Sequence, residues 1–365
     1  MKITHEIDNG VSIRYITDDI YHYSHGYYSA NKWVDSCRVV LVRSTEPELK
    51  AFSRHAQLVL VDVEAETETV LCDLSPSPDR AYGSGYIEGY VVNGCDLYYL
   101  QKSAAGDSLW HMNVETLATR ELYAHPNDLY FPHITTDGRF LNLEIHPAND
   151  RELYTCLRVD TQSGEVETLF QKRFQKPLPE VTHIMISPTD PDTVFFCHEG
   201  NTFYISNRLW LYTREHGMHC IAKQRLDEEG NLGDCFGHEC WAPDGKGLWF
   251  VKYPCSPLPP RGLCYVSTKG EQTDVLYQQY PYWHVCCAPN GQYLAADTQS
   301  GDYSGVCFVN TATGQETLVH KAGTTWQHPT HPHPSFNLDS SLLIFHEWKD
   351  ERVVLGLVRT ADIVE

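Results

Sequence analysis

"HVCCAPNGQYLAADT" (residues 284–298) reads as two short strands joined by one tight turn. Apolar residues follow the leading histidine, Pro-Asn-Gly interrupts them, and Tyr, Leu and Ala resume the run. Proline fixes φ and glycine accepts positive φ, so that triplet is a chain reversal between strands. The same grammar recurs in "HITTDGRFLNLEIHPANDRELYTCLRVDTQSGEVETLF" (133–170), "HIMISPTDPDTVFFCHEG" (183–200), "HECWAPDGKGLWFVKY" (238–253) and "HPSFNLDSSLLIFHEW" (333–348). Each opens on histidine, turns on Pro, Asp, Asn or Gly, and enters an alternating strand. A third strand follows as "RLWLYT" (208–213), "GLCYVST" (262–268) or "VCFVNTATG" (306–314), and a fourth as "VETLFQK" (166–172) or "QETLVHK" (315–321).

The leading histidines, His133, His183, His238, His284 and His333, are spaced by 50, 55, 46 and 49 residues. Four-stranded units at that period are the mark of a β-propeller. Less regular units read at "RVVLVRSTEPELKAFSRHAQLVLVDVEAETETVLCDL" (38–74) and "GYVVNGCDLYYLQKSAAGDSLWHMNVETLATRELY" (89–123) bring the number of blades to seven. The expected fold is therefore all-β, a seven-bladed propeller of four-stranded antiparallel blades forming a single domain over residues 1–365. The last unit is one strand short, and "GVSIRYIT" (10–17) is expected to complete it and close the ring, leaving no open sheet edge. Long 3.6-period segments are absent, which excludes a helical fold.

The 365 residues carry 22 tyrosines and four methionines, a bias that suits strands. A formal charge of −20 argues against nucleic acid or an anionic membrane as partner, because both require a cationic surface. No apolar run reaches membrane-spanning length, and the polar start "MKITHEIDNGVSIRY" lacks a signal-peptide core. Thirteen cysteines without CxxC spacing read as buried free thiols in a reducing cytoplasm.

The first strand of a propeller blade lines the channel, and the loop entering it lies on the ligand face. Histidines leading successive blades therefore stand at the mouth. In "THPHPSF" (330–336), His331 and His333 form an HxH, which on an extended strand places two imidazoles on one side, with Cα atoms about 6–7 Å apart. That is a two-toothed clamp for a divalent metal, and His284 on the neighbouring blade is positioned to be a third ligand. Pro329, Pro332 and Pro334 stiffen the stretch. His133 and His183 read as structural. His198, Glu199 and Arg208, in "CHEGNTFYISNRLW" (197–210), belong to the loop on the same face, where Arg208 is a candidate clamp for an anion.

As a set, "HIMISPTDPDTVFFCHEG", "NRLW", "GHECWAPDG" and "THPHPSF" resemble the oligogalacturonate lyases, intracellular seven-bladed propellers of pectin breakdown. The resemblance covers roughly residues 130–350 well and the first hundred loosely. It implies β-elimination of short α-1,4-linked galacturonides, with a divalent cation, typically manganese, held by three histidines and a glutamine. Carried over by motif, His284, His331 and His333 are the metal histidines, His238 in "GHECW" is the Brønsted base, and Arg208 in "NRLW" touches substrate. Where that family has its glutamine, three residues before the HxH, this chain has His328 with Gln327 just before it. An imidazole from His328 would favour zinc, nickel or iron over manganese; alternatively, Gln327 reaches in through a shifted loop.

The chemistry accounts for these residue types. Removing the C5 proton of a uronide builds negative charge toward a carboxylate already charged. A cation on that carboxylate and an arginine beside it offset the charge. Neutral imidazole, with an ordinary pKa of about 6.5, suits the base. A second reading keeps the metal but assigns a different uronide or oxidised sugar. A third is a non-catalytic binding platform, which the His, Glu and Arg of the channel face disfavour.

Overall fold

A computed structural model describes residues 1–46, 56–74, 89–147, 150, 152–173, 180–199 and 205–364. The alternation of the sequence becomes strands throughout. The N-terminal pair is β1 (Lys2–Asp8) and β2 (Val11–Thr17). One blade holds β3 (His22–Ser24), β4 (Arg38–Ser44), β5 (Gln57–Asp62) and β6 (Thr67–Asp73). The next holds β7 (Tyr90–Asn93), β8 (Asp96–Ser103), β9 (Gly106–Asn113) and β10 (Thr119–His125). Then come β11 (Asp128–Ile134), β12 (Phe140–His146), β13 (Leu153–Asp160) and β14 (Val166–Arg173), followed by β15 (Glu180–Ile186), β16 (Thr193–Glu199), β17 (Leu209–Thr213) and β18 (Gly217–Cys220).

A three-stranded sheet of β19 (Phe236–Trp241), β20 (Gly247–Lys252) and β21 (Gly262–Ser267) follows. The sixth sheet is β22 (Tyr282–Cys287), β23 (Tyr293–Thr298), β24 (Ser304–Asn310) and β25 (Gln315–Ala322). The seventh runs β1-β2-β28-β27-β26, with β26 (Ser335–Phe336), β27 (Leu342–Lys349) and β28 (Arg352–Arg359). One short helix, α1 (Ala361–Val364), ends the described chain. These seven sheets are the blades of the β-propeller.

Residue contacts group the chain into two compact units, Met1–Pro126 with Ala288–Glu365, and Asn127–Cys287. Their boundary falls in the turn joining β22 to β23, which are neighbouring strands of one sheet.

The N-terminal closure forms as the sequence indicates. β2 pairs antiparallel with β28, from Ile13 opposite Val358 to Ile16 opposite Leu355. β1 then adds a fifth strand outside β2. Two expectations need correction. The blade at residues 38–74 begins earlier, on β3, whose three residues are too few to show alternation. The blade at 238–277 has no regular fourth strand among the described residues; isolated bridges Val266–Gln272 and Leu263–Tyr277 stand in its place. "KGEQTD" there is too polar and glycine-broken to hold a ladder. Segments 47–55 and 200–204, within stretches read as blade and loop, lie outside the described residues.

Between sheets lie apolar cores. Ile16, Leu342, Ile344, Leu355 and Leu357 of the closing blade pack with Val39, Leu41 and Val59 of the β3–β6 blade. In the other unit Phe195, Leu209, Leu211, Phe236, Phe250 and Val266 form a corresponding core. Each fully buried aliphatic or aromatic side chain contributes about 1.5–3 kcal/mol.

The closing blade is also fastened by charge. His320 on β25 hydrogen-bonds Asp8 on β1 through Nδ1 at 2.6 Å and Glu347 on β27 through Nε2 at 3.1 Å. Lys349 pairs with Glu6 and lies over the Tyr15 ring. Burial would lower the His320 pKa, but Glu347 and then Asp8 outweigh it and raise it above the ordinary histidine value. The folded state therefore holds this proton more tightly than the unfolded chain does. The resulting stability is fully present below the unfolded value near about 6.5 and is lost as pH rises through the higher folded value.

Two outcomes follow for the fold. Ile16→Ala, at a fully buried position, should cost about 2–5 kcal/mol, read as a lowered urea midpoint. His320→Gln should flatten the decline of that midpoint as pH is raised from 6 toward 9, and an unchanged decline would place its origin elsewhere.

Candidate metal and catalytic site

The residues read as functional come from the starts of blades, and the backbone there is bent. His183 and His238 have φ of +53° and +55°, left-handed values that non-glycine residues seldom adopt. Both sit at register breaks in the first strand, between Thr182 and Met185 in β15 and between Gly237 and Cys240 in β19. A bulge swings a side chain out of strand alternation, which explains how each imidazole is re-aimed. His133 stands at a like break, is buried, and faces Asn142 in the register, as a structural residue would.

In this unit the imidazoles line up. The rings of His183 and His238 lie 6.2 Å apart, and those of His238 and His284 lie 4.0 Å apart. Trp283 and Tyr253 present edges to His238 at 5.2 and 5.1 Å. Gly237 makes that approach possible, because a Cβ there would fall 1.9 Å from the Tyr253 phenol oxygen. His238 Nδ1 donates to the Trp283 carbonyl, which leaves the lone pair on Nε2. Burial, and then the neighbouring His284 and His183, push the His238 pKa well below its ordinary value, so the ring is neutral at pH 7. His183 Nδ1 lies 3.0 Å from the fully buried Glu239 carboxylate.

Arg208 is not the exposed loop arginine that its sequence position suggests. It is 1% exposed, its carbonyl accepts the His198 N–H at 2.8 Å, and its charge contributes to depressing His238. His198 is also buried; the Glu199 side chain lies outside the described residues.

The histidine-proline stretch departs from the expected extended strand. β26 begins only at Ser335, and His333 has a left-handed φ of +44°. Pro332 and Pro334 cannot donate to a ladder, so the HxH is a shaped loop instead. His333 is buried against Tyr27 and Tyr28, with rings 5.0 and 5.8 Å away, and its N–H donates to Asp297 at 3.0 Å. His331 is half-buried. The His328 ring lies 4.7 Å from that of His331 and stacks on that of His333 at 5.2 Å. Gln327 is exposed, and its carbonyl accepts both the N–H and the hydroxyl of Thr330.

The rings of His331 and His333 lie 5.6 Å apart in one unit, whereas His284 belongs to the other, beside His238. Metal–imidazole bonds of about 2.0–2.1 Å require ligand nitrogens within about 4 Å of each other. An all-imidazole donor set suits first-row divalent metals, so the chemistry of these histidines fits such a cation. His328 stands beside the His331–His333 pair.

Sequence reasoning did not single out Asp297, Glu239, Trp283, Tyr253, Tyr27 or Tyr28. Asp297 alone left a trace, as the one charge in the apolar strand "YLAADT".

Comparison with known proteins places the chain in the oligogalacturonate lyase family. A family described as oligogalacturonate lyase matches residues 149–364. The oligogalacturonide lyase of Pectobacterium atrosepticum is 25% identical, with 86% of each chain covered. The oligogalacturonate lyase of Dickeya dadantii is 24% identical over the same shares. Among solved structures, an oligogalacturonate lyase in complex with manganese superposes with a TM-score of 0.79 at 19% identity, covering 99% of this chain and 97% of that one. The Vibrio parahaemolyticus oligogalacturonate lyase gives 0.76 at 17% identity, covering 98% and 96%. At those identities the structures establish the fold.

Proposed function

Because the chain belongs to the oligogalacturonate lyase family, we propose that it cleaves short α-1,4-linked galacturonides by β-elimination, with His238 as the base. The observation that carries this reading is the neutral His238 ring, which spends Nδ1 on the Trp283 carbonyl and lies tilted 4.0 Å from the ring of His284.

His284, His331 and His333 would hold the cation, with His328 or Gln327 as the further ligand. Bound there, a divalent metal acts as a Lewis acid on the substrate carboxylate and offsets the charge that grows toward it. The family likeness favours manganese, whereas a fourth imidazole from His328 would move the preference toward zinc, nickel or iron. Arg208, buried and cationic, adds positive potential at the base and the reacting carboxylate. The His238 tautomer keeps Nε2 ready to accept the C5 proton, and its burial keeps the ring neutral. A depressed pKa also makes it a weaker base. General base catalysis supplies about 10²–10⁴-fold, so the remaining acceleration falls to the charges facing the carboxylate.

The setting is cytoplasmic, in keeping with thirteen unbridged cysteines and with no helix among the described residues long and apolar enough to cross a membrane. A partner that is small and acidic fits a site built from imidazole and guanidinium on a chain of net charge −20. The position of His328 leaves a second substrate class in view, another uronide or an oxidised sugar.

His238→Ala should keep the bound metal and the fold while turnover of digalacturonate, followed by ultraviolet absorbance of the unsaturated product, falls about 10²–10⁴-fold. His331→Ala should lose metal and turnover together. Full activity in purified His238→Ala would remove it from the base role. Stripping the native protein with a chelator should abolish turnover, and readdition of Mn2+, Zn2+ or Ni2+ in parallel should rank the metals; activity that survives complete stripping would contradict the reading.

A further inference from the structure

We infer that Asp297 is a positioning residue of the metal site, holding His333 in the one backbone conformation that presents its imidazole to the other ligands; this rests on the metal reading above. Asp297 is 1% exposed on β23, between the fully buried Ala296 and the buried Thr298. A carboxylate buried among such residues is costly unless it is hydrogen-bonded, and one bond it makes is to the main-chain N–H of His333 at 3.0 Å.

The need for that bond follows from the loop. His333 lies between Pro332 and Pro334 and is left-handed, so its N–H points away from any ladder. A side chain accepts it instead. Asp297 does so from β23.

The loop is held on its second side as well. His346 on β27 donates its main-chain N–H to the Pro332 carbonyl at 2.8 Å, with Nδ1 at 3.3 Å from the same oxygen. Its Nε2 accepts from the His25 N–H at 3.3 Å and stands 2.8 Å from the Ser24 hydroxyl. Pro332 and His333 are therefore fixed from opposite sides, and Asp297 is the side that bears charge. A negative group one residue's breadth from the ligands also raises the affinity of the site for a cation, as outer-shell carboxylates do.

The test titrates Mn2+ alone into the full chain, stripped of metal, with thermal unfolding measured in parallel. Asp297→Ala should weaken Mn2+ binding about 10–100-fold while the metal-free protein still unfolds cooperatively. Asp297→Leu, which keeps the volume filled, serves in its place should the alanine variant not fold. Asp297→Asn retains an accepting oxygen and should lose less than either. A folded Asp297→Ala or Asp297→Leu protein binding Mn2+ as tightly as the unchanged chain would overturn the inference, as would Asn and Ala variants of equal weakness. Absence of Mn2+ binding by the unchanged protein would instead defeat the metal reading itself.

Discussion

A β-strand alternates its side chains between two faces of a sheet, so an imidazole at the head of a blade does not by itself turn toward its neighbour. The backbone at His183, His238 and His333 bends to bring that about, at left-handed φ values that cost about 1–3 kcal/mol each. Strain of this kind persists only where surrounding contacts over-determine it. At His238 the contacts are the Trp283 carbonyl and the Tyr253 ring in the space Gly237 leaves; at His333 they are Asp297, Tyr27 and Tyr28. The rigid blades convert local bends into a fixed set of nitrogens.

Division of labour follows from environment rather than residue type. His333 is buried against Tyr27 and Tyr28, whereas His238 spends Nδ1 on a carbonyl and keeps Nε2 as an acceptor. His320 shows a third fate for the same side chain. Between two carboxylates its pKa rises, and it serves the closure of the last blade. Three microenvironments thus give one side chain three different settings.

The sequence made the propeller legible because turn chemistry and strand alternation repeat at a nearly constant interval. It also announced the closing strand, since the last unit lacked a partner for "RVVLGLVR" and "VSIRYIT" could supply one. It concealed β3, too short to alternate, and the irregular edge after β21. At the site, motif spacing singled out His284, His331 and His333, but an extended HxH was the wrong geometry, because two prolines deny the strand its donors. Arg208 read as an anion clamp in a loop, and the sequence carried no sign that its side chain is buried within the protein. Asp297, Glu239 and Trp283 act through a single hydrogen bond or ring edge each, and such contacts leave no periodic signal.

The central claim is that three imidazoles from separate stretches of chain converge on one cation. Crystals grown with Mn2+ and measured at its absorption edge test this most directly. An anomalous peak bonded to nitrogens of His284, His331 and His333, with His238 beside it and Nε2 toward the substrate space, is the predicted result. A map with no peak there, or with His284 turned away while His331 and His333 bond main-chain atoms, would contradict the account.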